Sequence, residues 1–194
     1  MSKISRDDIW SLEEYHKLRP EFRKKVMAHK KVRKLPVGPN AMLFFEDKLT
    51  MHYQVQEMLR AERIFEEEGI QEEMDTYNAL IPDGSNWKVT FMLEFPDVTI
   101  RKRELARLVG IEDLTWVQVE GHDKVYPIAD EDLERDDDSR TSSVHFLRYE
   151  LASDMIESLR KGAKLSAGIE HDNYNHTVDP VPEETRKSLL GDLD

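Results

Sequence analysis

Along this chain the spacing of apolar residues changes character once, near Gly84. Before that point hydrophobic positions recur every three or four residues, and after it every second residue. In the first part, Ser11 followed three residues later by Glu14 is a capping-box pattern that opens a helix. Pro20 should interrupt or restart that helix before it runs on through Phe22, Val26 and Val32, and Leu35-Pro36-Val37-Gly38-Pro39 then ends it. The apolar run 41–45 reads as a short strand or a buried lead-in to a helix beginning near Lys48. Gly69 separates that helix from a second one, whose stripe Ile70, Met74, Tyr77 and Ile81 keeps helical spacing until Pro82-Asp83-Gly84 stops it.

Past Gly84, Trp87, Val89, Phe91, Leu93 and Phe95 alternate with Lys88, Thr90, Met92 and Glu94, the signature of a half-buried strand. Residues 101–109 predict a short helix closed by Gly110, and 114–120 and 125–128 predict strands joined as a hairpin through Gly121-His122-Asp123-Lys124. The polar stretch 130–143 reads as an exposed, mobile loop. Residues 144–151 and 165–171 are further strand candidates flanking a helix over 153–160, and a last helix should start near Pro182. The pattern as a whole predicts an α+β protein: a helical N-terminal half packed on a mainly antiparallel sheet of about four to six strands. A single domain over 1–194 is expected, with its helical part at about 8–82 and its sheet-rich part at about 86–194.

Laid out at about 100° per residue, the middle helix places an acid on its apolar side. With Met51 as zero, Val55 falls at about 40°, Leu59 at about 80°, Met58 at about 340° and Phe65 at about 320°, while Glu62 sits among them at about 20° and Gln54 at the edge at about 300°. An ionised carboxylate turned against hydrocarbon needs a cation, a metal or water. Glu62 is thus either a ligand or general base raised in pKa by burial, or one half of a structural ion pair with the N-terminal helix. On the other side of the helix His52, Gln56, Arg60 and Arg63 form a polar stripe between about 100° and 180°, a solvent-exposed face or a partner surface.

Composition narrows the chemistry. With 39% hydrophobic and 35% charged residues, the 22.8 kDa chain has enough apolar material for a core under a heavily charged surface. No apolar run approaches the roughly 18 residues of a membrane span, and the first ten residues lack the core of a secretory signal, so a cytoplasmic protein without membrane contact is expected. Zero cysteines exclude disulfides and iron–sulfur clusters in this chain, so any divalent metal would be held by His, Asp and Glu. The net charge is -12, yet Lys17, Arg19, Arg23, Lys24, Lys25, Lys30, Lys31, Arg33 and Lys34 face only Glu21 within their segment. That helix either pairs with the chain's own acidic segments or docks an acidic partner; nucleic acid is disfavoured by the overall acidity.

A wider resemblance emerges from particular blocks. L-E-E-Y at 12–15, V-G-P at 37–39, F-F-E-D-K-L-T-M-H-Y-Q-V-Q-E-M-L-R-A-E-R-I at 44–64, Y-N-A-L-I-P-D-G at 77–84 and H-F-L-R-Y at 145–149 together resemble a bacterial family catalogued as domain of unknown function 3501. The resemblance runs over roughly residues 4–193, the middle block being its most specific part. Members of that family are usually encoded beside rubrerythrin and an iron–sulfur oxidoreductase similar to heterodisulfide reductase subunits. The resemblance therefore implies an accessory role in a redox or oxidative-stress setting, with those proteins as partners, and supplies no catalytic residues.

Two functional classes remain open. The first is an interaction protein, docking a redox partner through His52, Gln56, Arg60 and Arg63 and the basic helix. The second is a small metal-dependent or acid–base enzyme, with Glu57 or Glu62 joining His145, Arg148 and His171 in a pocket between helices and sheet. Arg148 would then orient an anionic substrate through its planar fork. His145, His171, Asp172 and His176 are the candidate metal ligands, brought together from strand ends and the run H-D-N-Y-N-H. A ferritin-like di-iron centre needs two Glu-x-x-His motifs on helices, and only Glu13-Glu14-Tyr15-His16 has that spacing. No phosphate loop, dinucleotide fingerprint or nucleophile elbow is present. Homodimerisation is a common default for such a chain.

Overall fold

The computed structural model describes residues 2–133, 135 and 139–194. Helix α1 (Leu12–Lys31) starts where the cap predicts, with Ser11 Oγ accepting the Glu14 N–H at 3.2 Å. It passes through Pro20 without stopping. The proline withholds a hydrogen bond only from the His16 carbonyl, and both residues are on the solvent side, where water can serve instead. The proline-rich stretch after it is more than a terminator: it forms strand β1 (Lys34–Val37), with Leu35 and Val37 inward and Pro36 outward on a sheet edge, where a missing donor is tolerated. Strand β2 (Ala41–Glu46) leads directly into α2 (Lys48–Glu62), whose first turn is capped by Asp47 accepting from the Thr50 N–H at 2.9 Å.

The break between α2 and α3 (Glu67–Asn78) falls at Arg63, earlier than the glycine predicts. Arg63 adopts a left-handed φ of 57°, and Ile64 N–H bonds back to the Leu59 carbonyl at 2.9 Å, a Schellman-type stop built without glycine. Gly69 lies instead inside the first turn of α3, where a Cβ would come within 2.7 Å of Ile64 Cγ2. Its smallness lets the two helices meet tightly at their corner.

The remaining strands are β3 (Asn86–Leu93), β4 (Thr115–Val119), β5 (Lys124–Val125), β6 (Ile128–Ala129), β7 (Val144–Glu150), β8 (Leu165–His171) and β9 (Tyr174–Val178). Helices α4 (Val98–Arg107), α5 (Ser153–Arg160) and α6 (Glu183–Leu190) connect or follow them. Among the described residues they form two antiparallel sheets, β1-β2-β3-β7-β6 and β5-β4-β8-β9, rather than the single sheet of the sequence reading. The predicted strand 125–128 is the reason. Tyr126 and Pro127 divide it, so that Val125 pairs with β4 while Ile128 pairs with β7 in the other sheet. Strand β9 begins inside the H-D-N-Y-N-H run and has no alternating apolar pattern to announce it.

The inner faces of both sheets share one core, in which Leu43, Phe45, Trp87, Val89, Phe91 and Leu147 oppose Val117, Leu165, Ala167 and Ile169. Each of the Val, Leu, Ile and Phe side chains contributes about 1.5–3 kcal/mol on leaving water. Two tyrosines tie the layers: Tyr149 donates to Thr115 Oγ1 at 2.7 Å, and Tyr174 donates to the Val37 carbonyl at 2.8 Å while accepting from Asn40 and Ala41 N–H at 2.9 Å. A second core of Ile4, Ile9, Met51, Val55, Leu59, Ile70, Met74 and Ile81 holds the helical layer together. Of the acidic stretch expected to be an exposed, mobile loop, Glu134 and 136–138 lie outside the described residues. Its described ends are not free, since Asp130 and Thr141 are both bonded to His145.

Candidate functional site

The middle helix corrects the central expectation. Glu62 is exposed, in a last turn that also exposes Arg60, Ala61 and Arg63, so no hydrocarbon surrounds it. The helical wheel gives the direction of a side chain and not whether a neighbour stands at that height. The ion pair between the basic N-terminal helix and the middle helix does exist, one turn away, on Glu57. Arg19 Nε and Nη2 clasp the two Glu57 oxygens at 2.7 and 2.8 Å, and Tyr15 donates at 2.8 Å. Arg19 first, with Tyr15 and Arg60 assisting, holds the Glu57 carboxyl down to about 2. Glu57 is thereby a structural anion.

The predicted polar stripe is only half a surface. Gln56 is fully buried, accepting the Trp10 N–H at 2.8 Å, and His52 packs between Trp10 and Phe22 with ring centroids 4.9 and 5.1 Å away. Burial lowers the His52 pKa, which favours a neutral ring. The chain preceding α1 and α1 itself cover both residues, leaving Arg60 and Arg63 in solvent.

The pocket expected from Glu57, His145, Arg148 and His171 does not assemble. His145 and Arg148 are three residues apart on β7, and a period of two sends them to opposite faces. His145 lies fully buried on the inner side, its Nδ1 2.6 Å from Asp130 Oδ2 and its Nε2 2.8 Å from Thr141 Oγ1, with Glu112 at 3.7 Å. Arg148, on the outer side, is clasped by Glu131 at 2.8 and 2.6 Å and by Glu150. His171 ends β8; its Nδ1 accepts the Asn173 N–H at 3.1 Å, which leaves Nε2 to donate to the Val109 carbonyl at 3.2 Å. Asp172 is exposed in the turn that follows, and His176 on β9 packs edge-on to Tyr174 over the Gly38 turn. Among the described residues no group of three or more His, Asp or Glu side chains converges as a metal site.

What the sequence left unseen is a buried cluster around Arg33, which is 2% exposed. Its guanidinium donates to the Phe45 carbonyl at 2.9 Å, the Glu46 carbonyl at 3.2 Å, Ser188 at 3.2 Å and Asp192 Oδ2 at 2.5 Å, and stands 3.4 Å from Asp47. His29 closes the group on Asp47 at 2.5 Å. Lys17, Arg23, Lys24 and Lys25 remain exposed without an acidic partner among the described residues, so α1 divides its charge between internal pairs and open surface.

An apolar groove of about 340 Å³ lies where the start of α1 meets the α2–α3 corner. Leu12, Leu59, Ile64 and Ile70 line it and Phe65 stands at its edge, 70% exposed. The left-handed stop at Arg63 is what turns Phe65 outward, away from the stripe that the wheel assigned to it. Exposed Glu13 lines the groove as well, and Arg6 in its wall is neutralised by a bidentate pair with Glu67 at 2.8 Å.

Comparison with known proteins bears on the whole chain. The family model described as "Protein of unknown function (DUF3501)" matches residues 3–193. The chain belongs to the DUF3501 family. A crystal structure of a novel protein of unknown function from Burkholderia pseudomallei K96243 is similar to this chain at 47% identity and a TM-score of 0.94, covering 100% of each chain. No curated protein matches it. No helix among the described residues is long and apolar enough to cross a membrane.

Proposed function

We propose that this DUF3501 protein acts by binding, as an accessory protein in a redox or oxidative-stress setting, and that it docks a partner polypeptide in the groove beside Phe65. The observation that supports this reading is Phe65 itself, the most exposed large hydrophobic side chain among the described residues, standing next to an apolar groove. An aromatic anchor with a water-excluding surround is the usual energetic centre of a protein interface. Exposed Glu13 in the groove wall, with exposed Glu66 and Glu68 following Phe65 along the chain, favours a partner segment with apolar anchors flanked by Lys or Arg. The iron–sulfur oxidoreductase and rubrerythrin suggested by the family resemblance are the partners to test. The alternative, an acid–base enzyme, loses Glu57, His145, Arg148 and His171 to the structural pairs described above.

Calorimetric titration of each purified partner into the full chain and into Phe65→Asp tests the reading. Phe65 is exposed, so the variant should fold normally. Binding by at least one partner, weakened about tenfold or more by the substitution and further by salt, is expected. Absence of binding to both would remove the partner assignment, and binding indifferent to Phe65→Asp would remove the groove.

A further inference from the structure

A second concavity, of about 360 Å³ and open on one side, lies between the helical layer and the outer face of the five-stranded sheet. Its walls are apolar, with Phe44, Met92 and Phe146 from the strands and Met51 from α2. Into these walls are set two charges of opposite sign, Glu46 and Lys30. Glu46 is 7% exposed. Thr50 Oγ1 donates to its Oε2 at 2.7 Å and Thr90 Oγ1 to its Oε1 at 2.8 Å, and no Lys, Arg or His pairs with it among the described residues. Lys30 has no carboxylate partner among them either, its ammonium lying 5.9 Å from the Tyr53 ring centroid.

Two hydroxyl donors satisfy part of a carboxylate's capacity and none of its charge, and each oxygen keeps a free lone-pair site. A glutamine would engage both threonines without the cost of a desolvated anion. Glu46 and Lys30 thus present a carboxylate without a cation and an ammonium without an anion to the same cleft. We propose that this cleft binds a small amphipathic zwitterion, with its ammonium group on Glu46, its hydrocarbon or aromatic body against Phe44, Met51, Met92 and Phe146, and its carboxylate on Lys30. The cavity is at the lower end of the size range of small-molecule sites, and its few polar groups in apolar walls match their usual make-up. The opposed charges also discriminate: a simple carboxylate meets Glu46, and a simple amine meets Lys30.

Calorimetry on the full chain would use L-leucine, L-phenylalanine, L-tryptophan and 6-aminohexanoate as probes, with phenethylamine and 3-phenylpropionate as single-charge controls. At least one zwitterion should bind more tightly than either control. Glu46→Gln should weaken that binding about tenfold or more, as expected for loss of a charged hydrogen-bond acceptor. Lys30→Met should weaken the zwitterion and leave phenethylamine unchanged or tighter. Met92→Trp, which fills the cleft without touching either charge, should abolish binding and decides the matter if Glu46→Gln does not fold. No binding of any zwitterion at millimolar concentration, equal binding of 3-phenylpropionate, or binding that survives Met92→Trp would overturn the proposal.

Discussion

Replacing Arg33 by methionine perturbs the most concentrated charge in the interior. The substitution keeps much of the apolar stem and removes the guanidinium, leaving Asp192 (2% exposed) without its cation and taking a donor from each of the Phe45 and Glu46 carbonyls. Stripping one partner from a buried ion pair costs about 3–5 kcal/mol. At about 2–4 °C per kcal/mol for a chain of this size, Tm should fall by roughly 6–20 °C. The loss should also depend on pH in a definite direction. Burial pushes the Asp192 carboxyl up to about 6 from an ordinary value of 3.8, even beside Arg33. A folded-state pKa above the unfolded one means that the native state holds the proton more tightly. The stability it confers is full below about 4 and is lost as pH rises through about 6. Without Arg33 the carboxyl moves higher still, so the penalty of Arg33→Met should be largest near pH 8 and shrink near pH 5. Urea unfolding at both pH values measures this, with Arg33→Met/Asp192→Asn as the companion that removes the orphaned charge and should recover part of the loss. A penalty under about 1 kcal/mol, or one identical at the two pH values, would refute the reasoning.

Three further outcomes follow from other contacts. Glu57, held down to about 2 chiefly by Arg19, stabilises the fold above the ordinary carboxylate value of 4.5, and that contribution is lost as pH falls through about 2. After allowance for solvent screening, Glu57→Gln should cost about 1–2 kcal/mol at pH 7 and little near pH 2, as read from paired thermal melts. Gly168→Ala would set a Cβ 2.4 Å from the Trp116 ring and 2.8 Å from the His176 carbonyl, and should destabilise by about 1–3 kcal/mol or more in chemical denaturation. His145→Ala strips Asp130 Oδ2 of its buried partner, at about 1–3 kcal/mol for the oxygen left unsatisfied, while Thr141 keeps Glu112, and its denaturation midpoint should fall accordingly.

The sequence foretold elements better than it foretold neighbourhoods. Ser11 and Glu14 marked the start of α1, and the alternation from Trp87 marked β3, because capping and strand pleat are local properties. Pro36 disguised β1, since a residue that forbids a central strand is harmless at an edge. Val125 and Ile128 looked like one strand because nothing local records that the sheets change between them. The site residues failed for a related reason. Glu62 has the right angle on the helix but lies exposed in its last turn, while Glu57 pairs with the arginine that Glu62 is expected to meet. Arg33 is one of nine basic residues in its segment, and only the return of Asp192 from the far end of the chain singles it out. Glu46 lies inside the quoted family block, but its cleft needs β3 and β7 beside β2 before it exists.

The passage of the chain from β5 to β6 through only Tyr126 and Pro127 has a mechanical consequence. So short a hinge, reinforced by the Tyr149 and Tyr174 bolts, locks the two sheets as a single stiff plate. Any breathing that admits a guest beneath the helices must then come from the helices lifting. Amide exchange should accordingly be faster along α3 than in the central strands β3 and β7.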